Sequence, residues 1–297
     1  MNTSKTIVFF GTDTFSVSAL RHLIEAGYPV AAVITKPDSR SGRGQQLVPP
    51  AVKILAMQHA IPVWQPNKIS EIADEIKALG PDLLGVLSSF GRIIPQSIID
   101  LFNPGILNIH PSLLPLYRGP SPIETALING DDKTGASLML LTAKMDAGPV
   151  YDQAEYPLHG TETQSELYEK LADLGSSLLV QHLPRIIDGS LQPVEQQGEP
   201  TYSRLLQKAD ALVDPASDDA EYITRHVRAY ELFPKTKIDL HGHMIVVTQA
   251  HTGEATPGEL AFPDPTNANG DSLVIDQLIA PSGRRMSGAD FLRGYSR

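Results

Sequence analysis

Apolar residues in the first half of the chain fall in short unbroken runs, separated by stretches of helical period. "TIVFF" ends at Gly11, "VAAVIT" follows, then "DLLGVLSSF" and "ILNIH". Between the first two, "SVSALRHLIEAG" carries Val17, Leu20, Leu23 and Ile24 on one helical face, with Gly27 as C-cap. "SEIADEIKALGP" predicts a second helix, stopped by Gly80 and Pro81. Strands that lack polar alternation and are spaced by helices predict a parallel sheet covered on both faces.

"GPSPIETALING" predicts a helix with Ser121 as cap, Pro122 at the first position, Glu124 completing a capping box and Gly130 at the end. "TGASLMLLT" reads as a further strand. "TETQSELYEKLADLGSSLLVQHL" reads as a long helix with Thr161 and Gln164 as a second capping box and Leu167, Leu171, Leu174 and Leu178 inward. After Gly189 the pattern changes. Residues 190–207 are polar and rich in Pro, Gly and Gln, and read as a linker. A helix over "DAEYITRHVRAYELF" and the short strands "KTKIDLHGHMIVVTQA", "GELAF" and "DSLVIDQLIA" follow. The expected architecture is α/β: a doubly wound, mostly parallel, Rossmann-like domain over 1–189, the linker, and a smaller β-barrel over 208–297.

Composition narrows the classes. The chain has 297 residues, 41% hydrophobic and 20% charged, as in an ordinary globular protein of one large unit or two domains. No apolar run approaches the roughly 20 residues of a membrane helix. The apolar stretch in "MNTSKTIVFFGTDTF" is too short for a signal core, so the expected location is the cytoplasm. Absence of cysteine excludes disulfides, thiol catalysis and Cys-ligated zinc. A net charge of −10 makes nucleic acid an unexpected partner unless a local basic patch exists.

"FFGTDTF" lacks the G-x-G-x-x-G of a dinucleotide site, so no nicotinamide is expected. "HGH" at 241–243 reads as a hairpin turn, and no metal is expected. The informative stretch is "ILNIHPSLLPLYRG". Asn108 and His110, two apart on a strand, project to one side at its carboxyl end, where open α/β sheets bind ligands. An amide can donate to a developing oxyanion, and an imidazole can hold a proton near neutral pH. Two satisfied polar residues at a strand end is the alternative. "LTAKMDAGPV" weighs against that alternative, because it brings Asp146 to the end of the next strand, which a parallel sheet would set beside His110. A carboxylate there orients the imidazole and stabilises its cation. No Ser or Cys elbow accompanies the trio, so it suits direct acyl transfer.

Asn-x-His followed by Ser-Leu-Leu-Pro, Arg-Gly and then Asp-x-Gly resembles the folate-dependent formyltransferases. "FFGTDTF", "PDSRSGRGQQLVPPAVK", "MDAGPV" and "LLQKADALVDPAS" extend the likeness through nearly the whole chain, toward the branch that acts on methionyl-tRNA. The resemblance implies Asn108, His110 and Asp146 as the catalytic trio. It implies Ser112, Leu113, Leu114 and Pro115 as the loop holding the folate, with Phe90, Arg92 and Ile93 as further folate contacts. Arg43, with Arg40 and Lys36 in the same locally cationic loop, would meet the acceptor end of the tRNA. The implied donor is 10-formyltetrahydrofolate, with no metal, and the implied acceptor is initiator methionyl-tRNA, bound by a monomer. "RGPSP" and "YELFPK" depart from the usual family spellings. Arg225 and Arg228, three apart on one helix, are a second candidate tRNA contact or a solvated face. Enzymes formylating glycinamide ribonucleotide or an amino sugar are the nearest chemical rivals, and a silent RNA- or folate-binding module is the rival from another class.

Overall fold

The structure, a computed structural model, describes residues 5–41, 45–240, 242–266 and 270–295. In chain order its strands and helices are Thr6–Gly11 (β1), Thr14–Glu25 (α1), Val30–Ile34 (β2), Ser39–Ser41 (β3), Gln46–Val48 (β4), Ala51–Gln58 (α2), Val63–Trp64 (β5), Ala73–Ala78 (α3), Leu83–Ser88 (β6), Gln96–Ile99 (α4), Ile106–His110 (β7), Pro122–Asn129 (α5), Lys133–Leu140 (β8), Val150–Pro157 (β9) and Gln164–Ile187 (α6). Then come Ala220–Ala229 (α7), Lys237–Leu240 (β10), His243–Gly253 (β11), Ala261–Pro263 (β12), Ser272–Ile279 (β13), Arg285–Ser287 (β14) and Gly288–Tyr295 (α8). By internal contact the chain divides into two compact units. One is Met1–Pro120 with Thr134–Tyr156 and Tyr168–Tyr202; the other is Ser121–Lys133 with Pro157–Leu167 and Ser203–Arg297.

In the first unit a seven-stranded sheet has the order β5-β2-β1-β6-β7-β8-β9. The pairs β5–β2, β2–β1, β1–β6 and β6–β7 are parallel, as expected of fully apolar strands. Asp13 caps α1, its carboxylate accepting from the Phe15 and Ser16 amides, and Gly27 closes the helix with φ +77°. One face of the sheet builds a core on Phe10, whose ring meets Phe90 and Phe102 edge-on at 5.6 and 5.8 Å. Ile106 belongs to that core. On the other face Ile109 meets Gly175 of α6, where a Cβ would fall 2.4 Å from Ile109 Cγ2. Alternation along β7 therefore gives Asn108 and His110 the face of Ile106.

One expectation is corrected here. β8 runs antiparallel to β7, with Asn108 opposite Met139 and His110 opposite Ser137. A buried strand carries the same apolar run in either direction, so the sequence could not tell the two apart.

In the second unit β10-β11-β13-β12 form an antiparallel sheet, with β14 added on β13, and the sheet is curled. Register shifts in β11 around Gln249 accompany the curl, as bulges do. α7 lies on β11 and β13 and packs against α5. Ile223, Val227, Ile245, Leu273, Ile275 and Phe291 form its core.

Both predicted capping boxes give way to other partners. The Ser121 side chain makes no cap bond; its hydroxyl donates to the Arg204 carbonyl. Glu124 is buried and accepts from Gln164 Nε2 at 2.6 Å, which removes Gln164 from capping α6. Thr163 and Glu166 cap α6 instead: the Thr163 amide donates to Glu166 Oε2 at 2.9 Å and the Glu166 amide to Thr163 Oγ1 at 3.4 Å. α7 stops at Ala229, short of Phe233. The expected strands of the β domain are present, and β14 and α8 were missed. Of the "HGH" turn, His241 lies outside the described residues.

Candidate active site

Asn108 and His110 end β7 almost without solvent exposure, at 6% and 4%. Pro111 cannot continue the ladder, and the chain leaves the sheet as the loop 111–120. That loop curls back so that the Tyr117 carbonyl lies 3.1 Å from His110 Nε2. The other ring nitrogen, Nδ1, is 3.7 Å from Asp146 Oδ2. Both neighbours are acceptors only: the Tyr117 carbonyl is within hydrogen-bond distance, and the carboxylate is at ion-pair distance. The same carboxylate oxygen accepts from the Gly119 amide at 2.8 Å. No hydrogen bond of the Asn108 side chain is found among the described residues, and its amide is not among the side-chain polar atoms sealed off without a partner.

Asp146 reaches His110 by a route the sequence did not indicate. β8 runs antiparallel to β7, with Leu140 opposite Leu107 near the strand's start. The loop between β8 and β9 must climb back, and Asp146 turns it in the left-handed region with φ +46°. Gly148 makes the return possible: a Cβ there would fall 1.9 Å from the Leu140 carbonyl oxygen.

The loop after His110 is held by polar groups beneath it. Ser112 is fully buried, and its hydroxyl donates to the Leu116 carbonyl at 2.6 Å. Ser137 of β8 is the hub. Its hydroxyl donates to the Ser112 carbonyl at 2.6 Å and accepts from the Leu114 amide at 3.1 Å and from Gln153 Nε2 at 2.8 Å. The Gln153 amide also donates to the Leu114 carbonyl at 2.9 Å. Leu114 is buried, while Leu113 and Pro115 are half-buried. Ser137 and Gln153 were not singled out from sequence; a serine inside the apolar run "ASLML" was the available signal.

Residues 190–202, read as linker, make ordered contacts in the first unit. Val194 exchanges backbone bonds with Val150, and the Thr201 carbonyl and hydroxyl accept from the Arg118 and Tyr117 amides at 2.9 and 2.8 Å. Gln196 accepts from Arg118 Nε and Nη2 at 3.1 and 2.7 Å, and donates to the carbonyls of Asp146 and Gly148, each at 2.8 Å.

The remaining candidates are spread out. Phe90 is 1% exposed, with its ring in the core. Arg92 donates to the Pro66 and Asn67 carbonyls at 2.7 and 3.2 Å, and Ile93 is 89% exposed. Both line a shallow cavity of about 410 Å³. Lys36 lies against this turn, since a Cβ at Gly91 would fall 2.5 Å from its Nζ. Arg40 sits on β3, which pairs antiparallel with β4, so the flanks of the cationic loop form a short ribbon. Its base is fixed by Asp38, which accepts from Lys53 Nζ at 2.8 Å and from Gln65 Nε2 at 2.8 Å. Those bonds, Lys53 first, hold the Asp38 carboxyl below its ordinary range. Arg43 lies outside the described residues. In the second unit Arg225 and Arg228 line a cavity of about 830 Å³ together with Glu162, Glu221 and Glu231. Arg225 donates from Nε to the Ile128 carbonyl at 2.9 Å.

A mostly parallel sheet with an amide, an imidazole and a carboxylate around one strand end, joined to a curled antiparallel sheet, defines the class: the chain belongs to the formyl transferase family, which matches residues 4–183, with the family's C-terminal domain over residues 205–296. Within that family it is similar to methionyl-tRNA formyltransferases. That of Citrifermentans bemidjiense is 37% identical over 302 residues, covering 99% of this chain and 94% of the relative. That of Geobacillus thermodenitrificans is 37% identical, covering 97% and 93%. Among solved structures, the N-formyltransferase of Helicobacter canadensis with folinic acid and dTDP-3-aminofucose shares the fold at TM-score 0.68 and 16% identity, over 91% of this chain and 98% of that one. HypX of Aquifex aeolicus in complex with tetrahydrofolic acid gives TM-score 0.67 at 17% identity, over 97% of this chain and 47% of its own. Among the described residues no helix is long and apolar enough to cross a membrane.

Proposed function

We propose that this chain transfers the formyl group of 10-formyltetrahydrofolate to the amino group of methionyl-initiator-tRNA. The observation that carries the reading is the pairing of His110 with Asp146 at the strand end that also presents Asn108. Full-length likeness to methionyl-tRNA formyltransferases supports the choice of acceptor.

The acceptor amine attacks the formyl carbon, forming a C–N bond and a tetrahedral oxyanion. The Asn108 amide donates to that oxygen, and His110 as a cation stabilises it from beside. Asp146 orients the ring, as in triads. Collapse breaks the bond to N10 of the folate; the amine gives up a proton and N10 takes one. Half-buried Leu113 and Pro115 and exposed Ile93 offer apolar surface to the pterin, and Arg92, anchored at Pro66 and Asn67, offers donors beside it. Ser112 and Leu114 act through the loop's shape, since the Ser112 hydroxyl and the Leu114 amide and carbonyl are already engaged within the protein. Lys36, Arg40 and Arg43 meet the acceptor end of the tRNA.

The test is formyl transfer from labelled 10-formyltetrahydrofolate to initiator methionyl-tRNA, elongator methionyl-tRNA and an amino-sugar nucleotide. The expected result is transfer to the initiator tRNA with strong preference over the elongator. Transfer to the sugar alone would make this an amino-sugar enzyme.

A further inference from the structure

We propose that Gln196 is a positioning residue for formyl transfer: its side-chain amide ties the Asp146 turn to Arg118 and thereby fixes the carboxylate beside His110. The inference rests on the role given to Asp146 in the proposed function.

All the hydrogen-bonding capacity of this amide is used. Its oxygen takes two bonds from the Arg118 guanidinium, at 3.1 and 2.7 Å. Its nitrogen gives two, to the Asp146 and Gly148 carbonyls at 2.8 Å each. An amide offers two donor hydrogens and two acceptor lone pairs, so nothing is left over. The segments it joins are the ones that must stay in register. Arg118 and Gly119 end the loop that folds over His110, and the Gly119 amide holds Asp146 Oδ2 at 2.8 Å. Asp146 and Gly148 form the return turn, whose non-glycine left-handed residue is strained and persists only if its surroundings hold it. Gln196 is the side chain that caps both carbonyls of that turn.

Only an amide has this pattern. Glutamate at 196 would keep the Arg118 contact but set a carboxylate against two carbonyl oxygens. Alanine would release both segments. Neither change touches Asn108 or His110 directly.

The experiment uses the full chain with Gln196→Glu, Gln196→Ala, Asp146→Ala and the double variant Asp146→Ala/Gln196→Glu. Formyl transfer to initiator methionyl-tRNA is followed, together with amide hydrogen exchange of the 142–149 segment. Gln196→Glu is expected to lower kcat roughly a hundredfold, as misplacement of a reacting-site group by about 1 Å does, with KM for folate unchanged. Exchange in the turn should rise while the sheet stays protected. In the Asp146→Ala background the same substitution should cost nothing further, because residues acting through one another are not additive. A merely structural glutamine would lower stability and give the same fold-loss in both backgrounds. The proposal is overturned by wild-type kcat in Gln196→Glu, by an undiminished loss in the Asp146→Ala background, or by wild-type kcat in Asp146→Ala itself. If the wild type formylates no methionyl-tRNA but the turn loosens in Gln196→Glu, the reading of the acceptor fails and the clamp on the turn stands.

Discussion

His110 and His226 are both buried imidazoles, 4% and 3% exposed, but the groups around them differ in kind. In the second unit, His226 Nδ1 faces the Thr236 hydroxyl at 2.9 Å and Nε2 faces the Asp210 carbonyl at 2.9 Å. A hydroxyl can donate, so a neutral ring satisfies both contacts, and burial lowers the His226 pKa to about 4. In the first unit, His110 faces a carbonyl and a carboxylate, and neither can donate to an unprotonated nitrogen. Beside it, no hydrogen bond of the Asn108 side chain is found among the described residues. A polar group that is fully paired within the fold supports the fold. One left incomplete next to a charge is available to a substrate.

The largest effect should separate these regions by rate. Asn108→Ala removes the amide donor and should lower single-turnover formyl transfer about a hundred- to thousandfold, roughly 3–4 kcal/mol of transition-state stabilisation. Thermal stability should be little changed, because no hydrogen bond of this side chain is found among the described residues. His226→Gln should do the reverse: near-normal turnover per folded molecule, with about 1–3 kcal/mol of stability lost through disturbed buried partners.

A pH experiment sharpens the same contrast. The His226 pKa lies at about 4 when folded, below the ordinary 6.5, so the unfolded chain binds the extra proton first. Stability therefore falls as pH drops from about 6.5 to about 4 and changes little from this group outside that window. The span amounts to about 3 kcal/mol. Urea midpoints of the wild type and His226→Gln across that range should converge toward acid; parallel curves would contradict the assignment.

Ser137→Ala should fall between the two regions. It leaves the Ser112 carbonyl and the Leu114 amide without the hydroxyl that joins them, at a cost of about 1–3 kcal/mol. Folate affinity should weaken with it, measured by fluorescence titration, since the loop 112–115 loses its support. Unchanged stability and affinity would show that the loop does not depend on this hub.

The smallest structural effect is expected at Arg40, an exposed residue of the cationic ribbon. Arg40→Ala should move stability by no more than about 0.5 kcal/mol. It should weaken tRNA binding and reduce the slope of log K against log salt by about one. A change in folate affinity instead would reassign the ribbon.

The parallel half of the sheet was legible because apolar runs, helical periods and glycine stops agree with one another from β1 to β7. The strand end at Asn108 and His110 was legible because polar residues inside an apolar run conflict with their surroundings. Three things were not. The direction of β8 leaves no trace in a strand buried on both faces. The caps at Ser121 and Gln164 were misread because long-range partners, Arg204 and Glu124, outcompete local ones. Gln196 looked like linker because a polar stretch with Pro and Gly reads the same whether it is free or docked by its side chains. Sequence pattern reports local periodicity; these bonds join residues about 40 to 80 positions apart.

The most direct test of the central claim is single-turnover formyl transfer to initiator methionyl-tRNA, with folate saturating, for the wild type, Asn108→Ala and His226→Gln side by side. The account predicts transfer by the wild type, a loss of about a hundred- to thousandfold in Asn108→Ala with its fold intact, and a near-normal rate in folded His226→Gln. A wild-type rate in Asn108→Ala would contradict it.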